Sequence, residues 1–182
     1  PLLSNIDGTS LLVSGGVTLS LPSVASYSSA GGRTAVLRAT GAGSVLDLGN
    51  VVHVDFSLGY EAALYIEALA GGTVDLSQTT EISDIAIATV RAAWLTADGT
   101  GSTIDLSSLT KIEDNSPWGG DRAWNASLTA TNSGAILAPL LTTLKAVNVR
   151  LDGTGTLQTT NWTTWSEGNA TLSGGPFVFS SL

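Results

Sequence analysis

The sequence predicts an all-β protein, a single right-handed parallel β-helix of about six coils that spans residues 1–182. Three observations predict this fold: a nine-residue apolar pattern recurs along the chain, an alternating segment precedes each copy, and glycines separate the two. A recurrence of this length indicates stacked structural units, because one unit cannot bury its apolar face alone. The right hand follows from the strong preference of parallel strand connections for the right-handed crossover.

The nine-residue pattern places apolar residues at steps of two, three and three. Its copies occupy residues 19–27, 46–54, 74–82, 104–112, 136–144 and 157–165. Thr79, Ala138 and Thr159 are its weak positions. We expect the first residues of the copies to form one buried column along the helix axis, namely Leu19, Leu46, Val74, Ile104, Ile136 and Leu157.

Each copy follows a short segment in which apolar and polar residues alternate, which is typical of a half-buried strand. These segments begin at Leu11, Leu37, Ile66, Leu95, Leu128 and Leu151. Glycines after them allow the chain to turn sharply. Each coil should therefore contain three short strands, and variable loops on one side of the helix should join successive coils. Residues 1–10 and 171–182 are expected to cap the coils, which occupy residues 11–170.

Composition and charge argue against several classes of protein. The chain is 43% hydrophobic and 12% charged, which is unlike a disordered chain. Its net charge is −8, so we expect no basic surface for nucleic acid. It has no cysteine, one histidine and no apolar stretch of membrane-spanning length, so we expect no cofactor and no membrane partner. Because it begins at Pro1, we expect it to be part of a larger protein with covalently linked domains.

The segment Leu95-Thr-Ala-Asp-Gly-Thr-Gly-Ser-Thr-Ile-Asp-Leu-Ser-Ser-Leu-Thr resembles the β-helical repeats of large secreted bacterial proteins. The resemblance covers roughly residues 11–165 and is specific for fold. This group includes adhesin-like stalks, polysaccharide lyases, pectin hydrolases and β-helical xylan-binding modules. The resemblance implies an extracellular bacterial protein with a polysaccharide partner. The chain shows no lyase signature with basic catalytic residues.

Two aromatic residues take equivalent outward positions on neighbouring coils. Tyr65 and Trp94 each precede the first apolar residue of an alternating segment, so their rings should be adjacent and face solvent. A flat apolar ring on a rigid surface is suited to contact a sugar ring. The alternative is a surface ladder that only stabilises the sheet, by about 0.2–1 kcal/mol per pair.

The longest variable loop, residues 113–127, enters the strand beside Trp94. Long ordered loops on repeat scaffolds usually carry binding function. Trp118 lies between a proline and two glycines and should be presented to a ligand. The alternative, a tryptophan folded under the loop as its small core, is favoured more for Trp124 than for Trp118. Asp121 and Arg122 are expected to hydrogen-bond sugar hydroxyls.

Trp162 and Trp165 occupy apolar positions of the repeat, and we expect both to be buried.

Three aspartates, Asp47, Asp75 and Asp105, share one outward position on consecutive coils. Carboxylates about 4.8 Å apart repel one another, so something should compensate them. Calcium is one possibility, since it takes carboxylate oxygens. The favoured interpretation is that each aspartate accepts hydrogen bonds from backbone amides at its own corner. On that interpretation no metal is bound.

Glu67 and Asp98 form a second carboxylate pattern, one coil apart and two residues along. Sheet geometry separates them by roughly 8 Å, within the range of an inverting glycosidase pair. Nothing else in the sequence supports catalysis, and Glu67 is expected to pair with Arg38 on the neighbouring coil.

The sequence therefore favours a noncatalytic carbohydrate-binding module for a plant cell-wall polysaccharide, with xylan as the first candidate. One alternative is a structural stalk or adhesin segment of a large secreted protein. A weaker alternative is a glycoside hydrolase or polysaccharide lyase that uses Glu67 and Asp98. The candidate ligand-binding residues are Trp118, Trp94, Tyr65, Trp124, Asp121, Arg122, Glu67 and Asp98.

Overall fold

The computed structural model describes residues 2–29, 34–56, 63–84, 91–115 and 124–179. These residues form a right-handed parallel β-solenoid, and none of them lies in an α-helix, so the predicted fold class is confirmed. Every strand pair in the three sheets is parallel.

The strands are arranged in three sheets, each built from one strand per coil. The first sheet contains β1 (Leu11–Ser14), β4 (Ala35–Thr40), β7 (Ala63–Leu69), β10 (Ala92–Asp98), β13 (Ala126–Thr131), β16 (Val147–Leu151) and β19 (Ala170–Leu172). The second contains β2 (Thr18–Ser20), β5 (Val45–Asp47), β8 (Thr73–Asp75), β11 (Thr103–Asp105), β14 (Ala135–Leu137) and β17 (Thr156–Leu157). The third contains β3 (Ser26–Ser28), β6 (His53–Asp55), β9 (Glu81–Ser83), β12 (Lys111–Glu113), β15 (Thr143–Lys145) and β18 (Thr164–Ser166).

The predicted apolar column lies in the second sheet, in the predicted register. Its register partners run in order through Leu19, Leu46, Val74, Ile104, Ile136 and Leu157. The four inner members are fully buried, whereas the two end members are partly exposed. Thr79, a weak position of the pattern, is also buried, and its hydroxyl donates to the carbonyl of Val51 at 2.7 Å. That hydrogen bond allows a polar side chain to occupy an apolar position.

Three glycines lie against the backbone of the preceding coil at the corner between the first and second sheets. A Cβ atom on Gly134 would lie 2.2 Å from the carbonyl oxygen of Ala97. Gly72 and Gly155 make the same approach to the preceding coil. None of the three has a positive φ. The close backbone approach therefore requires glycine at this corner.

The last complete coil corrects one part of the predicted register. Leu128 pairs with Val149, and Leu151 pairs with Ala130. The sequence had instead suggested that Leu151 is the partner of Leu128. Val147–Leu151 alternates strictly, so a shift of two residues keeps the same face buried and leaves the pattern unchanged. Gly155 distinguishes the registers, because it lies against Ala130 as Gly134 lies against Ala97.

This shift changes which side chains are neighbours on the outer face of the first sheet. Ser127 lies beside Asn148, and Arg150 lies beside Thr129. The oxygen of the Asn148 side chain accepts a hydrogen bond from the backbone amide of Asn169 at 3.1 Å.

Three aromatic residues pack together at the C-terminal end of the solenoid. Trp162 is fully buried, as predicted, and its ring centroid lies 5.5 Å from Trp165 and 5.7 Å from Phe179. Trp165 was expected to be buried but is only partly so, because it belongs to the last coil, where Phe179 stacks on its ring. The Thr159 hydroxyl donates to the carbonyl of Val178, which holds the C-terminal segment against the coil.

Candidate functional site

Tyr65 on β7 and Trp94 on β10 are register partners on the outer face of the first sheet. Their ring centroids are 4.9 Å apart and their planes meet at 62°, an edge-to-face arrangement. Both side chains are partly exposed. The adjacency predicted from the sequence is therefore observed.

Trp124 joins these two rings from the residues that precede β13. Its centroid lies 5.7 Å from that of Trp94, with an angle of 36° between the planes, and the residue is 39% exposed. This exposure argues against the alternative in which Trp124 forms the small core of its loop. Asn125 and Ala126, which follow it, are buried, so the change from exposed to buried chain falls directly after Trp124. We call Tyr65, Trp94 and Trp124 the aromatic cluster.

The aromatic cluster is held by hydrogen bonds to the backbone beside it. The indole nitrogen of Trp94 donates to the carbonyl of Asn125 at 3.2 Å, which fixes the chain next to Trp124. The amide group of Asn125 donates to the carbonyl of Glu167 at 2.9 Å. The backbone nitrogen of Ala126 donates to the buried carboxylate of Asp114 at 2.9 Å. Trp124 therefore lies on a fixed backbone, although it is outside a strand.

The near end of the same loop is fixed by Asn115. Its amide nitrogen donates to the carbonyl of Asp84 at 2.9 Å, and its amide oxygen accepts from the ammonium of Lys145 at 2.7 Å. Trp118, Asp121 and Arg122 belong to this loop but lie outside the described residues, so their predicted roles remain predictions.

Hydroxyl side chains flank the aromatic cluster along the helix axis. Ser127 is the register partner of Trp94, and Thr129 is the register partner of Thr96. All three hydroxyl residues are partly exposed. A hydroxyl both donates and accepts hydrogen bonds, so this part of the sheet can pair with neutral polar groups such as sugar hydroxyls.

The two carboxylates considered for catalysis are both engaged in the structure. Arg38 and Glu67 form the expected ion pair, with 2.5 Å between Nη2 and Oε2. Asp98 accepts hydrogen bonds from the Thr131 hydroxyl and the Asn132 amide, both at 2.7 Å. Arg38 therefore compensates the charge of Glu67, whereas the donors to Asp98 are neutral and leave its negative charge in place.

The aspartate column of the second sheet makes the backbone hydrogen bonds expected of it. Asp47, Asp75 and Asp105 are register partners. Each accepts a hydrogen bond on Oδ1 from the backbone nitrogen two residues ahead, at 2.9–3.1 Å. Among the described residues, no group of three or more His, Cys, Asp or Glu is placed to hold a metal ion.

A buried ion pair that the sequence did not reveal flanks the segment that leads into β10. Arg91 Nη1 lies 2.8 Å from Asp84 Oδ1, and both side chains are almost fully buried. The pair joins the two ends of residues 85–90, which are outside the described ranges. The partners are seven positions apart in the sequence and belong to no repeated pattern, so the sequence does not predict the pairing.

Charged residues elsewhere on the surface make contacts within and between the coils. On the third sheet, Lys111 bridges Glu81 at 3.1 Å and Glu113 at 3.2 Å. At the corner after β16, backbone amides of Asn132, Gly155 and Thr154 donate to Asp152, and these bonds lower the pKa of its carboxyl. These contacts pair surface charges and satisfy backbone amides at the corners of the solenoid.

No protein-family model matches the chain, and no match was found among curated proteins or solved structures. The resemblance to xylan-binding modules therefore remains a hypothesis, and function must be argued from the geometry. Within the described ranges, no helix has the length and apolar character needed to cross a membrane.

Proposed function

We propose that this protein is a noncatalytic carbohydrate-binding module whose aromatic cluster stacks against the rings of a polysaccharide. The observation that carries the proposal is the exposed Trp124 ring beside Trp94 on a rigid sheet. Exposed aromatic rings are costly to leave in water, and apolar patches of this kind often mark binding sites. Sugar rings have apolar faces that fit such a surface.

The support beneath the cluster favours binding with little reorganisation. Tyr65 packs edge-to-face against Trp94, and Asn125 holds the Trp94 indole. Groups that are ordered before binding lose less conformational entropy when a ligand arrives. Trp124 is the outermost ring, so we assign it the main stacking contact and assign Trp94 and Tyr65 to its support and extension.

The neighbouring hydroxyl groups suit an uncharged glycan that runs along the helix axis. Successive coils repeat at about 4.8 Å. A linear polysaccharide along this axis would meet Trp94, Ser127 and Asn148 on successive coils, with Thr96 and Thr129 alongside. A plant cell-wall polysaccharide, with xylan first, is the proposed ligand class, and an extracellular location follows from it.

A structural stalk is the second candidate, and the regular solenoid itself favours it. Such a segment would need no small ligand, and the aromatic cluster would only stabilise the sheet. A hydrolase or lyase role for Glu67 and Asp98 gains no support, because each carboxylate already has a protein partner.

Affinity electrophoresis of the protein against a panel of soluble polysaccharides tests this function. We expect retardation by at least one neutral plant polysaccharide, with the same shift in the presence of EDTA. The shift should depend weakly on salt, because stacking and neutral hydrogen bonds need no charge. If no glycan retards the protein, the carbohydrate-binding proposal fails and the stalk becomes the better interpretation.

A further inference from the structure

Arg150 is a cation without a protein partner on the face that carries the aromatic cluster. It lies on β16, its side chain is exposed, and it makes no ion pair or hydrogen bond within the part of the chain that the structure describes. Every other lysine or arginine in the described ranges has an acceptor: Glu67 for Arg38, Asp84 for Arg91, Glu81 for Lys111 and Asn115 for Lys145. The guanidinium of Arg150 is therefore available to a ligand.

The strand register places Arg150 beside the path proposed for the glycan. Asn148 lies on the same strand and occupies the column that runs from Trp94 through Ser127. Residues two positions apart on a strand share a face, so the Cα atom of Arg150 lies about 7 Å from this column. Asn148 is two coils from Trp94, which is roughly 10 Å along the helix axis. A glycan that stacks on the aromatic cluster and continues along the axis would pass within reach of the guanidinium.

The neighbours of Arg150 on the adjacent strands are neutral. Its register partners are Thr129 on β13 and Thr171 on β19. Arg38, on the same sheet, differs in this respect, because its register partner is Glu67. The positive charge of Arg150 is therefore not neutralised across the sheet.

The carboxylate closest to Arg150 along the chain is that of Asp152, on the side of Arg150 away from the aromatic cluster. Backbone amides of Asn132, Thr154 and Gly155 donate to it, and it forms no ion pair with Arg150. A ligand that lies along the column of Trp94 would therefore meet the guanidinium before it meets this carboxylate.

The charge of the whole protein opposes an acidic ligand. The net charge is −8, and Glu167, whose carbonyl accepts a hydrogen bond from the amide of Asn125, is an exposed acidic residue in this region. The long-range field therefore repels an anionic polymer. A preference for an acidic glycan would have to arise from direct contact with a nearby cation.

We infer that the ligand is a glycan whose neutral main chain carries uronic acid side groups, and that Arg150 binds the carboxylate of one side group. This inference rests on the proposed carbohydrate-binding function. The aromatic cluster stacks on the main chain, and a side group on a sugar near Asn148 reaches the guanidinium. The planar fork of N–H groups in arginine matches the two oxygens of a carboxylate. Arg150 thus determines which substituted form of the polysaccharide is preferred.

Affinity electrophoresis with one polysaccharide in two forms tests the inference. The probes are glucuronoxylan and the same preparation after its uronic acid carboxyls have been reduced to alcohols. The wild type should bind the acidic form at least about threefold more tightly at low salt, and added salt should shrink the difference, because salt screens an exposed charge contact. Equal affinity for the two forms would overturn the role of Arg150 and leave the carbohydrate-binding function standing. Binding to neither form would refute xylan as the ligand and this inference with it.

Substitutions of Arg150 identify the residue responsible. Arg150→Gln should bind the acidic form no more tightly than the reduced form, and its affinity for the reduced form should equal that of the wild type. Arg150→Lys keeps the charge and should retain part of the preference. The matched control is Lys111→Gln, which removes one positive charge from the third sheet and should keep the full preference. A preference that persists unchanged in Arg150→Gln, with a wild-type circular dichroism spectrum, would overturn the inference.

Discussion

Replacement of Trp162 by alanine is expected to be among the most destabilising single changes in the C-terminal coil. The side chain is fully buried, and its ring packs against Trp165 and Phe179 at centroid distances of 5.5 and 5.7 Å. Removal of a large buried aromatic costs about 3–5 kcal/mol, because the transfer free energy is lost and a cavity remains. That cost is a large fraction of the roughly 5–15 kcal/mol that stabilises a typical domain.

A second variant, Trp162→Phe, separates packing from hydrogen bonding. The indole nitrogen of Trp162 is buried and has no hydrogen-bond partner among the described residues. An unpaired buried donor costs about 1–3 kcal/mol of stability. Phenylalanine has no such donor, so the removal of this cost offsets part of the stability that is lost with the smaller ring. We therefore expect Trp162→Phe to be clearly more stable than Trp162→Ala.

Urea denaturation followed by far-ultraviolet circular dichroism measures both effects without relying on tryptophan fluorescence. The midpoint should fall strongly for Trp162→Ala and slightly for Trp162→Phe, and glycan binding by the folded protein should be unchanged in both. Wild-type stability in Trp162→Ala would refute the assignment of this ring to the core. Equal losses in the two variants would contradict the expectation that a phenylalanine ring recovers part of the packing.

Two further predictions concern the corners and the third sheet. Gly134→Ala should lose about 1–3 kcal/mol of unfolding free energy, because the new Cβ meets a backbone oxygen at 2.2 Å. Gly175→Ala is the control and should be nearly neutral, because the atom nearest to its new Cβ is 3.6 Å away. Equal urea midpoints for the two variants would contradict the close approach at Gly134. Lys111→Met should cost about 0–1 kcal/mol at neutral pH, as expected for a surface ion pair. Partial burial alone would raise the pKa of Glu81, but the hydrogen bond and charge of Lys111 outweigh it, so that pKa is lowered. The stabilisation is therefore present above the ordinary glutamate pKa and is lost as the pH falls through the lowered one. The hydrogen bond that Lys111 donates to Glu81 raises the pKa of Lys111, so the stabilisation is also lost as the pH rises through that raised value. Denaturation across the pH range should show the wild type and Lys111→Met converging in acid and in alkali, and a constant difference would refute the pairing.

The fold could be predicted from the sequence because the spacing of apolar residues determines the strand register directly. The column from Leu19 to Leu157 follows from six copies of one pattern, and pairing between coils preserves it. The sixth alternating segment was misassigned by two residues, since a strand pattern with a period of two cannot distinguish such registers. The contact between Gly155 and Ala130 that sets the register involves separate coils and has no local signature.

The candidate site was predictable only where it follows the repeat. Tyr65 and Trp94 occupy equivalent repeat positions, so their contact could be inferred. Trp124 precedes a strand within a variable loop, and the backbone that follows it is held by contacts of Asn125 with Glu167 and of Ala126 with Asp114. Sequence spacing contains no information about those contacts.

The carbohydrate-binding proposal is tested most directly by calorimetric titration of the wild type and Trp124→Ala with oligosaccharides of the polysaccharide that retards the wild type. Leu140→Ala, which removes an exposed apolar side chain from another corner of the solenoid, is the matched control. We predict that Trp124→Ala loses at least about 2 kcal/mol of binding free energy, roughly thirtyfold in affinity, and that the control binds as the wild type does. Wild-type affinity in both Trp124→Ala and Trp94→Ala would contradict the aromatic cluster as the binding site.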